Sequence, residues 1–261
     1  GVQSFSNEDL QYLGRQHDAR QIHRALNIAL SSEIPNISID LIYGIPTMTL
    51  DSLVENLRFV EQYALPHVSA YALTVERRTA LYHFIQKGKC PPPQDAAVVE
   101  QMQLLIAWAH HSGYRHYEIS NFARPGKESQ HNLVYWQQQP YLGIGPSAHS
   151  YDGHRRRHHV VASNLAYIRS LQRDVLPHRV EYLTEVDLYN ELILTRLRLE
   201  EGLPKAQLLR FPNHMVEHFY ASITPFVHKG WVNPTPVSWH LTDDGKPWTD
   251  AITRELFYVP P

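Results

Sequence analysis

The chain has 261 residues, 43% hydrophobic and 19% charged. That suffices for one large folded domain or two smaller ones and excludes a disordered chain. Lys and Arg total 24 against 26 Asp and Glu, which argues against a basic nucleic-acid-binding protein. The single cysteine, Cys90, leaves no disulfide framework and no all-cysteine metal site within the chain. No apolar run approaches the ~20 residues of a membrane span, and the expected location is cytoplasmic.

In chain order, Val2-Gln3-Ser4-Phe5 reads as the end of a strand, and Ser6-Asn7-Glu8-Asp9 as a helix start with acids in its first turn. This junction suggests a β-α unit entered partway, with N-terminal sequence missing. Residues 7–33 carry helical signals. Asp18 and Gln21 form a capping pattern, Ile22, Ala25, Leu26 and Ala29 share one face, and Pro35 ends the stretch. Ile37 to Tyr43 is an apolar run closed by Gly44, a buried strand. Thr49 caps a helix carrying Leu50, Leu53, Val54, Leu57 and Val60. Val68 to Leu73 is the next strand. A polar, Pro-rich stretch leads to a long helix ending at Gly113, and Tyr114 to Ile119 is a further strand. The alternation predicts a parallel sheet or barrel. Ligands in such folds sit at the carboxyl ends of strands, which singles out Gln3, Asp40 and Thr74. The strand candidates are too few to close a barrel.

Around Pro177 the pattern changes. Thr184 caps a helix with Val186, Leu188, Leu192, Ile193 and Leu197. A short helix from Pro204, a longer one from His214 to Lys229, a small hairpin and a final helix from about Asp250 follow. The hairpin is read from Trp239-His240-Leu241-Thr242 with Asp243-Asp244-Gly245. Helices followed by a hairpin make a winged-helix order. From Leu176 onward there are 8 Lys and Arg against 11 Asp and Glu. DNA binding needs the opposite balance, so this module reads as a packing or partner domain with no nucleic-acid role. The expected division is residues 1–175 and 176–261.

Several constellations can carry chemistry. Tyr141 to Ser150 contains Gly143-Ile144-Gly145, small residues that let a backbone approach a ligand or simply make a tight turn. His131-Asn132-Leu133-Val134-Tyr135-Trp136 offers an imidazole that can ligate haem iron and aromatics that can cover a porphyrin. A surface histidine before a packed Tyr-Trp pair is the plainer alternative. Asp152 to His159, with Arg155, Arg156 and Arg157, is either a solvated loop or a site for phosphates or propionates. Arg15 and Asp40 can each hold one end of a zwitterion, or serve as a surface ion-pair partner and a cap.

In order along the chain, Gly1 to Phe5, Arg15, Ile39-Asp40-Leu41-Ile42-Tyr43-Gly44-Ile45-Pro46, Tyr117 to Ala123 and the Gly143 to Ser150 turn resemble the second half of a radical S-adenosylmethionine (SAM) barrel of the oxygen-independent coproporphyrinogen III oxidase branch. The His131-Asn132-x-x-Tyr135-Trp136 motif is similar to that of the HemW haem chaperones and is not typical of the authentic oxidases. The resemblance implies an α/β fold: a partial radical-SAM (β/α) barrel followed by a winged-helix-like α+β domain. It implies that Gln3, Arg15, Asp40, Thr74 and His149 bind SAM. It implies that His131, a candidate iron ligand, binds haem with Asn132, Tyr135 and Trp136. Two departures stand out. Ser147 replaces a usual glycine, and the family's three-cysteine motif for a [4Fe–4S] cluster is absent, so that cofactor is expected only in a full-length parent.

The leading expectation is an N-terminally truncated haem chaperone that binds haem, passes it to haem-accepting proteins and has no catalytic residues of its own. Membrane association of the parent stays open. The alternatives are a porphyrinogen-decarboxylating oxidase and an inert remnant or split-gene product. The haem motif is expected in a loop near the strand ends, open to solvent.

Overall fold

The computed structural model describes residues 1–34 and 36–260; Pro35, the expected helix terminator, and Pro261 lie outside them. The chain divides into two compact units, Gly1–Glu128 and Ser129–Pro261.

The first unit begins with an extended segment, helix α1 (Asn7–Tyr12) and helix α2 (Ala19–Leu30). Asp18 and Gln21 form the expected reciprocal capping box on α2. Strand β1 (Ser38–Tyr43), helix α3 (Leu50–Gln62), strand β2 (His67–Ala72), helices α4 (Ala80–Gln86) and α5 (Asp95–Ser112), and strands β3 (Arg115–Glu118) and β4 (Asn121–Ala123) complete it. Thr49 caps α3 by accepting from the Ser52 amide. Gly113, at φ 70°, ends α5 in the left-handed conformation that glycine tolerates.

The sheet order is β1-β2-β4-β3. β1 and β2 run parallel, as the β-α alternation predicts. The expectation of an all-parallel sheet does not hold: β4 is antiparallel to both β2 and β3. Only Ile119 and Ser120 separate β3 from β4, too short a link for a parallel crossover. Gln3 adds a parallel bridge to Leu41 on the other side of β1. The sheet is open. Its core joins Ile39, Leu41 and Tyr43 of β1 to Leu53, Leu57 and Val60 of α3 and Leu105 and Ile106 of α5.

The second unit contains helix α6 (Gln130–Trp136), strands β5 (His149–Tyr151) and β6 (Arg156–Val160), helix α7 (Asn164–Leu171) and strand β7 (His178–Tyr182). β5, β6 and β7 form an antiparallel sheet. The basic run, left open between a solvated loop and an anion site, is therefore partly strand. The pairing of β6 with β7 crosses the 175/176 position at which the sequence pattern changes. Next come helix α8 (Glu185–Arg196), strand β8 (Leu203–Pro204), helices α9 (Lys205–Leu208) and α10 (Asn213–His228), strands β9 (Val232–Pro234) and β10 (Ser238–Leu241), and helix α11 (Thr249–Leu256). The sheet order here is β8-β10-β9. The hairpin turn lies between β9 and β10, not at Asp243-Asp244-Gly245, which instead lead into the last helix. Tyr189, Leu192, Ile193, Phe219, Ile223, Ile252 and Leu256 make the core. Among the described residues no helix is long and apolar enough to cross a membrane.

Candidate functional site

In the first unit, Gln3 lies against the carboxyl half of β1. Its amide donates to the Asp40 carbonyl at 2.7 Å, and its carbonyl accepts from the Ile42 amide at 2.8 Å. It is buried with φ at 69°, a conformation a non-glycine residue keeps only when its surroundings enforce it. Those surroundings are a buried polar network. Ser4 Oγ donates to Asp9 Oδ2 at 2.7 Å, Thr47 Oγ1 donates to Asp9 Oδ1 at 2.6 Å, and the Phe5 amide donates to Asn56 Oδ1 at 2.8 Å. The segment's backbone is thus tied to α1 and α3. Arg15 Nη2 donates to Gln3 Oε1 at 2.9 Å. A Cβ on Gly1 would lie 3.0 Å from Asp40 Oδ2 and 2.0 Å from Gln3 Nε2, so Asp40 and Gln3 meet the same backbone.

Three of the residues assigned to SAM, Gln3, Arg15 and Asp40, therefore come together. Thr74, exposed just beyond β2, joins Arg15 in the wall of an open cavity of about 860 Å³ that also includes Ile42, Leu73 and Phe84. A guanidinium and a carboxylate suit the two ends of an amino-acid group. An iron–sulfur cluster does not fit: cluster iron needs several thiolates, and Cys90 is the one thiol.

In the second unit, His131, Asn132, Tyr135 and Trp136 all lie on α6, not in the expected loop. Ser129 caps the helix, accepting from the Asn132 amide at 3.3 Å. Helical spacing places His131 and Tyr135 one turn apart on one face. Both are exposed, as expected, and their rings meet edge to face at 5.0 Å. Tyr135 packs on Tyr141 at 4.7 Å, and Tyr141 pairs with Tyr151 across a strand bridge. His149 stands on β5 opposite His159, their rings 4.2 Å apart. Desolvation first, then the charges of His159 and Arg157, hold the His149 pKa below its ordinary value, which favours a neutral imidazole.

Two partners escaped the sequence reading. The Arg198 guanidinium lies 5.8 Å from the Trp136 ring centroid and pairs with Asp250. Arg196 Nη2 donates to the Gln137 carbonyl at 3.1 Å, where α6 ends. Some sixty residues separate each arginine from its α6 partner, and no local spacing signals such a contact.

Residues 183–248 match the HemN C-terminal domain. The heme chaperone HemW of Mycobacterium tuberculosis is 36% identical, with 98% of this chain aligned to 64% of that protein. The heme chaperone HemW of Bacillus subtilis is 31% identical over 94% of this chain and 65% of its own length. The Escherichia coli heme chaperone HemW is 31% identical, with 98% of this chain covering 67% of that protein. Coproporphyrinogen III oxidase (HemN) of E. coli, described as a radical SAM enzyme, matches with a TM-score of 0.76 over 98% of this chain and 63% of its own, at 21% identity. The fold is thus that of the HemN-type radical SAM proteins. Within them, the chain belongs to the HemW heme chaperone family. It spans 64–65% of the length of the Mycobacterium and Bacillus relatives.

Proposed function

We propose that this chain carries the haem-binding part of a haem chaperone that delivers haem to haem-accepting proteins. The observation that carries the reading is the exposed His131 imidazole packed against Tyr135 on one face of α6. His131 would ligate the iron, and Asn132, Tyr135 and Trp136 would line the porphyrin. A chaperone must release its cargo, and an exposed ligand suits release better than an enclosed one. Gln3, Arg15, Asp40, Thr74 and His149 are assigned to SAM; that assignment rests on the family and on the Gln3–Arg15 contact. A [4Fe–4S] cluster belongs to this reading only through cysteines outside the chain given. Residues 1–175 then form the barrel part and 176–261 the C-terminal module, in a cytoplasmic protein.

The likeness to HemN favours a second reading, a porphyrinogen-decarboxylating oxidase. Mixing the haem-loaded chain with apomyoglobin and following the Soret band separates the two. Transfer of haem to the acceptor supports the chaperone. Failure to load haem, together with porphyrinogen decarboxylation by the longer protein, supports the oxidase.

A further inference from the structure

The basic run Arg155-Arg156-Arg157 is divided by the fold. Arg157 is bound at 2.8 and 2.9 Å to both carboxylate oxygens of Glu191, and is thereby neutralised. Arg155 instead joins Arg196, Arg210 and His154 in the wall of a cavity of about 450 Å³ within the second unit. No carboxylate contributes to that wall. Three arginines thus line one cavity in a chain of slight net negative charge.

Two side-chain atoms of its lining residues are buried with no hydrogen-bond partner among the described residues: the Arg196 Nε, a donor, and the Gln207 Oε1, an acceptor. Leaving such groups unmade costs stability unless something completes them. Partial burial also holds the Arg196 pKa below its ordinary value, with Glu201 acting the other way. Arg196 Nη2 also donates to the Gln137 carbonyl, which ties the guanidinium to the end of α6.

We infer that this cavity is a carboxylate-binding site, with the half-buried Arg196 as its anchor, Arg155 and Arg210 as charges at its mouth, and Gln207 as a polar partner. A planar carboxylate matches a guanidinium edge. The carboxylate has two sources, a free small organic acid or the propionate edge of a tetrapyrrole. The second rests on the haem reading. Helix α6 rises by about 9 Å between His131 and Gln137, and Gln137 and Gln138 line the same cavity. A macrocycle held near His131 would therefore have its acidic edge available to these arginines.

The test uses the 261-residue chain, the exposed double variant Arg155→Ala/Arg210→Ala, and Arg196→Gln. Each is titrated calorimetrically with glutarate and spectroscopically with haem and haem dimethyl ester. At least one carboxylate-bearing probe is expected to bind both variants about tenfold more weakly, the size of one lost charge-assisted contact. If haem weakens while its ester does not, the tetrapyrrole is the source. If only glutarate weakens, the source is a free acid. If the wild type binds no haem, the haem reading fails and glutarate alone decides the site. Should neither glutarate nor haem bind the exposed double variant more weakly than the wild type, the inference is overturned.

Discussion

His67 shows how one buried titratable group links stability to pH. It lies on β2, 5% exposed, with Nδ1 2.7 Å from Ser38 Oγ and Nε2 2.8 Å from the Tyr117 hydroxyl. Burial pushes its pKa below 6.5, while Asp40 and Glu128 act in the opposite sense. The unfolded chain therefore binds this proton at higher pH than the folded one. The contribution is fully present above pH 6.5 and is lost as pH falls through 6.5 toward the lower folded-state value. Urea unfolding of the wild type should weaken across that window, and His67→Gln should flatten this part of the profile. An unchanged profile in the variant would remove His67 from the pH dependence. At the same scale, the closeness of His131 and Tyr135 was legible because they lie four residues apart in the chain. Arg198, which covers Trp136, was not, because its contact is made by tertiary packing.

At the level of elements, capping chemistry reads directly from sequence. Asp18 with Gln21, Thr49 and Thr184 all mark helix starts. Thr184 accepts from the Asp187 amide, and the Asp187 carboxylate accepts from the Thr184 amide at 2.8 Å. Replacing Thr184 by Ala should lower stability by about 1 kcal/mol, read as a shift of the denaturant midpoint, whereas Thr184→Ser should retain most of it. Equal losses in both variants would show that the hydroxyl is not the source. The β5-β6-β7 sheet was illegible for an electrostatic reason. On one face of the sheet, Arg157 binds Glu191 and His159 binds Glu181 at 2.9 Å; on the other, His158 meets His178. Charged and imidazole pairs replace the apolar alternation that signals a strand. β4 was missed because it is three residues long and follows a two-residue turn.

For the whole molecule, the parallel β1–β2 pair and the order of helices from Thr184 onward were foreseen, α6 and α7 were not, and the likeness to HemN accords with the expected fold class. The direction of β4 was not, since strand direction depends on connection length rather than on composition. The single thiol makes a further claim about the chain as given. Anaerobic reconstitution with iron and sulfide should yield no stoichiometric [4Fe–4S] signal in visible or paramagnetic-resonance spectra. A full signal would show that ligands other than three cysteines hold the cluster.

The central claim is that α6 presents a haem ligand. A haem titration of the wild type beside His131→Ala tests it most directly. The wild type should saturate at one haem per chain. The variant, which keeps Tyr135 and Trp136, should bind more weakly, with a displaced Soret band. Superimposable spectra and equal affinities would contradict the claim and place the iron ligand elsewhere.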